Sequence, residues 1–337
     1  MRLRAHCFTL FLLAFCVAMP GQAKAWGKFG HLVVCDLAYR NLTDASRTKL
    51  KTLFQSRSGG ILVKGKGKLE DRRYTSFNVG CLEEDELPRK HASDHFINVS
   101  RDTKAIVDSN CPNDGSCTLA GIDRDLQTLK DETASKADRV FALMAIGHWL
   151  GDIHQPLHTS FADDKGGNGI DVTLDGKCAT GTPRPKNLHS VWDNCLLDAG
   201  MFQRVRQRSE FKKEWSRFTI TYRAVDTLQA RTSLTEEQSL VGGKPMQWAA
   251  ESYTITLRPD VLYCVKVGEL CQYSATVATL KRNAKKRNQS IDQAYLAAFA
   301  PIAEERVKKA GYRLAHLINT ALDPDYKGPI QNSMQKP

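Results

Sequence analysis

His148 and Asp152 stand four residues apart in the run Gly147-His148-Trp149-Leu150-Gly151-Asp152-Ile153-His154-Gln155-Pro156-Leu157-His158. On a helix that spacing puts both side chains on one face, where they can reach a common ion. His158 follows Pro156, where the chain must leave the helix, and can turn its imidazole back to the same place. Asn187-Leu188-His189-Ser190-Val191-Trp192-Asp193 repeats the His-x-x-x-Asp spacing. Neutral imidazole and carboxylate are the ligand set of an exchangeable, catalytic zinc site with open positions. One such pair is weak evidence. Two, together with His158, on a chain with a single histidine after residue 190 are much stronger. Asp94-His95-Phe96-Ile97-Asn98 adds a histidine in an apolar extended segment followed by an aromatic, and Trp26-Gly27-Lys28-Phe29-Gly30-His31 adds another.

These side chains need a scaffold, and the scaffold reads as helical. Arg2 and Arg4, an apolar run from Cys7 to Met19, Pro20-Gly21 and the small-x-small site Ala23-Lys24-Ala25 form a secretory signal over residues 1–25. The run is too short to span a bilayer comfortably, and no later segment is long enough for stable membrane insertion. Cleavage there leaves Trp26 first, with a free α-amino group whose pKa of about 7.7–8 lets it yield its proton to a metal more readily than lysine. Its nitrogen and the Trp26 carbonyl can chelate one ion.

Eight cysteines follow the signal, an even number that in an exported chain points to disulfides. Cys111–Cys117 and Cys264–Cys271 would close small loops and Cys178–Cys195 a larger one; Cys35–Cys81 remains. The formal charge of +11 includes three cations of the signal. The remaining excess suits a polyanion or an anionic membrane surface alike. Helical periodicity covers 30–39, 46–54, 118–129, 137–154, 188–197, 202–218, 224–229, 235–252 and 291–322, the last with an interruption expected near Pro301. Gly169 to Gly176 alternates as one arm of a short β-hairpin. No linker divides the chain: one mostly α, disulfide-stapled domain over 26–325 is expected, with a tail over 326–337. The basic run Lys281 to Arg287 reads as a solvated face.

The sequence resembles the extracellular zinc-dependent nucleases of the S1/P1 type. The matches run in family order: Trp26 to His31, His95-Phe96-Ile97, His148 to His158, Gly166-Gly167-Asn168, Asn187 to Asp193, Trp248-Ala249-Ala250-Glu251-Ser252 and Gly311-Tyr312-Arg313-Leu314-Ala315. The resemblance implies the helical fold shared with zinc phospholipases C, and three zinc ions. One would be held by His95, His148, Asp152 and an upstream aspartate. A second would be held by the Trp26 amine and carbonyl, His31 and the bridging Asp152. The third would be held by His158, His189 and Asp193. Asp85, in Glu84-Asp85-Glu86, fits the upstream position best, with Glu84 in reserve. His154 is no ligand in this scheme and is expected to face solvent or cap its helix.

The same resemblance makes Asp85 and Asp152 the catalytic carboxylates and Phe96 a platform for a nucleobase. Asn98 would be a base-reading amide, and Arg89 or Lys90 a phosphate contact. It implies cleavage of single-stranded DNA and RNA to 5′-phosphorylated products, with action on 3′-nucleotides. Such a protein would be a secreted monomer, periplasmic or extracellular, with no protein partner. A zinc phospholipase C is the nearest rival, though that group carries glutamate where Asp193 stands; a non-catalytic zinc- or nucleic-acid-binding protein is the other. Asn41, Asn98 and Asn288 begin glycosylation sequons, and a glycan on Asn98 would obstruct the base platform.

Overall fold

A central helix arises where the sequence is apolar on every side. Ser135 starts it by accepting a hydrogen bond from the Asp138 amide, and Pro156 stops it. From Ala142 to His154 every residue is buried, as expected of a helix with no polar face. The computed structural model describes residues 26–55, 76–86, 88–108, 111–112, 115–178 and 184–329. The predicted signal and most of the tail lie outside the described residues.

In chain order the helices are α1 (Lys28–Arg40), α2 (Asp44–Phe54), α3 (Ser76–Gly80), α4 (Thr118–Lys130), α5 (Lys136–His154), α6 (Leu188–Ser190), α7 (Gln203–Arg206), α8 (Arg217–Arg231), α9 (Leu234–Leu240), α10 (Pro245–Thr256) and α11 (Gln293–Leu322). Helices α1, α4, α10 and α11 pack around α5. Two glycines let the chain approach α5 closely. A Cβ on Gly151 would lie 2.6 Å from the His31 Nδ1, and one on Gly147 would lie 2.4 Å from the Cys81 Sγ. All four expected disulfides are present: Cys35–Cys81, Cys111–Cys117, Cys178–Cys195 and Cys264–Cys271.

Three helical expectations need correction. The 188–197 segment is helical, but α6 widens into π-turns over Val191–Cys195 and Asp198–Phe202. The 202–218 segment ends as a helix at Arg206, and Ser216 caps a new one by accepting from the Thr219 amide. The 235–252 segment breaks where Gly243 takes φ +85° and Pro245 opens α10. By contrast, α11 runs through Pro301 without a break.

Among the described residues the strands are short. Strand β1 (Ile97–Val99) pairs in parallel with β2 (Thr159–Phe161), which ties the His95 segment to the His158 turn. Strand β3 (Ile170–Leu174), expected as a hairpin arm, meets the returning chain at the antiparallel bridge Asp171–Asn187 but pairs along its length in parallel with β6 (Arg287–Ile291), while β4 (Val265–Val267) and β5 (Leu270–Gln272) form an antiparallel hairpin. The alternation in β3 buries Ile170 and Leu174 but says nothing of which strand lies alongside.

Helices α10 and α11 brace the end of α5 through polar side chains. Glu251 accepts from Arg306 at 2.6 Å and from Arg313 at 2.6 and 2.8 Å. Arg306 also reaches the His154 carbonyl, and Ser252 and Thr256 donate to the carbonyls of Ile153 and Pro156. Burial raises the Glu251 pKa, but hydrogen bonds from Arg313 and Arg306 outweigh it and hold the carboxyl at about 2. A lowered carboxylate pKa stabilises the fold above the unfolded value, and that stability is lost as pH falls through the folded one. Glu251→Gln should therefore cost about 2 kcal/mol at pH 7, the value for a broken buried pair reduced for partial exposure. Urea melts at pH 7 and pH 3 check this: the wild type should lose its advantage between pH 4.5 and 2, and the variant should have none to lose.

Candidate metal centre

Four pieces of chain converge at the buried end of α5. His148 and Asp152 come from one face of α5, and His31 comes from α1. His95 closes the 3₁₀ turn Ala92–His95, and Asp85 closes the turn Glu83–Asp85. One Asp152 oxygen lies 3.3 Å from the His31 Nε2; the other lies 3.1 Å from the His95 Nδ1 and 3.4 Å from the His148 Nε2. The His31 and His148 rings stack with centroids 4.0 Å apart.

A second group lies beside the first. His158 ends the 3₁₀ turn Pro156–His158, while His189 and Asp193 come from α6 and the π-turn after it. The Nε2 atoms of His158 and His189 are 3.2 Å apart, and the His189 Nε2 is 3.3 Å from Asp193. Donor atoms of three sets fall within 4.8 Å of one another: His31, Asp85 and His148; His95, His148 and Asp152; His158, His189 and Asp193.

Backbone carbonyls fix three of the rings. The Nδ1 of His148 donates to the Cys81 carbonyl at 2.7 Å, that of His158 to the His95 carbonyl, and that of His189 to the Gly166 carbonyl at 2.6 Å. A carbonyl only accepts, so Nδ1 carries the hydrogen and each Nε2 keeps its lone pair for the cluster. Burial, reinforced by neighbouring histidines, pushes the pKa of His31, His95 and His158 down. Burial also lowers His148, and holds His189 at about 4. Burial raises Asp152 and Asp193.

Among the protein's own groups the cluster is short of positive charge and of donors. Both Asp152 oxygens, both His31 nitrogens and the His95 Nε2 are buried without a hydrogen-bond partner. Each such group costs about 1–3 kcal/mol. A divalent cation suits the whole donor set, and the residues present fit that group.

The remaining expected residues fall as follows. Asp85 lies with His31 and His148, whereas the resemblance groups it with His95, His148 and Asp152. Glu84 turns away to His91, 3.0 Å distant. Arg89 donates to Asp85, and Lys90 lies over the Phe141 ring. Phe96 is 37% exposed and so is no core residue. The Asn98 Oδ1 is enclosed without a partner. Trp26 is wholly buried, and the next amide, of Gly27, donates to the Asp193 carbonyl at 2.8 Å. His154 corrects the expectation of a solvent-facing ring. It is fully buried, its Nδ1 donates to the Leu150 carbonyl, and its Nε2 accepts from Arg313 at 2.9 Å. Gln155 escapes the sequence reading, although it stands inside the motif. Its amide donates to Asp193 at 2.7 Å while its oxygen holds the Leu157 amide.

A model of the S1/P1 Nuclease family matches residues 26–323. Endonuclease 2 of Arabidopsis thaliana is 23% identical over 326 residues, covering 93% of this chain and 96% of its own. Nuclease S1 of Aspergillus oryzae is 24% identical over 313 residues, covering 89% and 92%. Nuclease P1 of Penicillium citrinum is 30% identical over 175 residues, covering 51% of this chain and 58% of its own.

Proposed function

The chain belongs to the S1/P1 nuclease family, and from that premise we propose that it is a secreted, zinc-dependent endonuclease of single-stranded DNA and RNA. It would leave 5′-phosphates and also release phosphate from 3′-nucleotides. The observation that carries this reading is the sharing of buried, unpartnered Asp152 between rings from three separate pieces of chain.

His95, His148, Asp152 and Asp85 would hold one zinc. The Trp26 amine and carbonyl, His31 and Asp152 would hold another, and His158, His189 and Asp193 a third. Bound zinc would acidify a water and neutralise phosphate charge. The chain's own groups do the rest. The carbonyl-bound histidines keep their lone pairs aimed, and Gln155 fixes the Asp193 carboxylate. Arg89, beside Asp85, offers a cation to a phosphate. Phe96 offers an exposed ring between His95 and strand β1, and only an unpaired base can stack there. The domain would be residues 26–325, monomeric, released from a signal over 1–25. Among the described residues no helix is long and apolar enough to cross a membrane.

Phe96→Ala should raise KM for single-stranded DNA about 5- to 150-fold, the equivalent of one lost stack, with a smaller change in kcat. Steady-state kinetics on an oligonucleotide of fixed sequence read this; an unchanged KM would remove Phe96 from the base site. The function itself is tested on purified protein beginning at Trp26. It should hydrolyse single-stranded DNA and RNA to 5′-nucleotides, stop in EDTA and recover with zinc. Turnover of phosphatidylcholine without cleavage of nucleic acid would overturn the proposal.

A further inference from the structure

The basic run Lys281 to Arg287 is fastened at both ends to the loop beside His189. Before it, the Leu280 amide donates to Asp163 at 2.6 Å. At its far end, β6 pairs with β3 from Arg287 opposite Ile170, and the Lys286 Nζ reaches the Asn168 carbonyl at 3.2 Å and Asp171 at 3.3 Å. The loop it grips contains Gly166, whose carbonyl orients His189.

Between these anchors the chain turns back on itself. The Ala284 amide donates to the Lys281 carbonyl at 3.0 Å, and Asn283 takes φ +66°, a left-handed conformation that asparagine tolerates. The turn leaves Lys281, Arg282 and Lys285 exposed. The acids of the facing loop already have partners: Asp163 and Asp164 bind Arg101, and Asp171 binds Lys286. Lys165 and Lys186, on the loops flanking β3, are exposed as well.

We propose that Lys281, Arg282 and Lys285, with Lys165 and Lys186, form a track for the backbone phosphates of a polynucleotide strand running past the metal centre. The inference rests on the nuclease reading and adds a binding surface to it. Such contacts read charge and spacing, not bases, so they would favour long strands over dinucleotides. A merely solvated face would make no such distinction.

The test uses the purified protein as isolated and a fluorescein-labelled, nuclease-resistant probe, a 2′-O-methyl phosphorothioate oligouridine 20-mer. Binding is followed by anisotropy across a range of salt. Three phosphate contacts on a single strand contribute about 2 to the slope of log K against log salt, hence about a hundredfold at 0.1 M. Lys281→Gln/Arg282→Gln/Lys285→Gln should lose that factor and that slope, while kcat/KM on the dinucleotide TpT stays within about twofold. The charge-matched control Lys49→Gln/Lys51→Gln/Lys213→Gln should lose only a few-fold. Equal losses in both triple variants, or none, would overturn the track, as would a matching fall on TpT. A wild type that binds with the expected slope but cleaves nothing would keep the track and sink the nuclease reading.

Discussion

Asp152→Asn should keep the fold and abolish most of the hydrolysis, with kcat/KM on single-stranded DNA falling about 10³-fold or more. The carboxylate is shared: its oxygens face His31 on one side and His95 and His148 on the other. Asparagine keeps the shape but supplies a single neutral acceptor, so two of the proposed zinc positions weaken at once. Losing several kcal/mol of charge stabilisation is enough for that factor. Stability should respond with opposite signs in the two states of the protein. Without metal, the fold must bury a carboxylate whose two oxygens have no hydrogen-bond partner, and burial raises its pKa. Such an acid destabilises the fold as pH rises above its unfolded value near 3.8. The asparagine variant should therefore melt higher than wild type in EDTA at pH 7, and lower than wild type in zinc. Calorimetry in both buffers, with metal content by mass spectrometry, decides. A variant that binds zinc and cleaves as wild type does would remove Asp152 from the centre.

The gathering of these side chains was legible because helix geometry converts spacing into proximity. His148 with Asp152 and His189 with Asp193 needed only the four-residue interval, and the turn at Pro156 placed His158. The disulfides were legible for a similar reason, three of them closing short loops. What depended on distant partners was not. The alternation at Ile170 to Leu174 marks a strand, but the strand it pairs with along its length stands more than a hundred residues away, and no local signal names Arg287–Ile291. His154 illustrates the same limit. A histidine at a helix end before proline suggests a cap, yet α11 delivers Arg313 to its Nε2 and leaves it buried. The breaks at Ser216 and at Gly243-Lys244-Pro245 were written in the sequence as a cap and a helix start, and apolar periodicity on either side obscured them.

A single extra residue before Trp26 should be nearly as damaging as the loss of Asp152, although it removes no side chain. Trp26 is wholly buried, and a Cβ on Gly30 would lie 2.6 Å from the Trp26 Cβ, so α1 holds the indole closely. The Gly27 amide is pinned to the Asp193 carbonyl, which ties the start of the domain to the helix that carries the second histidine group. An added alanine would leave these contacts in place and turn the proposed α-amine ligand into an amide nitrogen, which has no lone pair to give. One ion should be lost, from three to two per chain, and kcat/KM should fall about 10²-fold or more. In EDTA the extended and the native proteins should melt together, since neither then uses the amine. Removing the alanine with an aminopeptidase should restore both the third ion and the rate, which separates a lost ligand from a damaged fold. Full zinc content and full activity in the extended protein would show that the amine is not a ligand. His31 and Asp152 would then have to hold their ion with other donors, and the correct cleavage of a signal before Trp26 would cease to matter for catalysis.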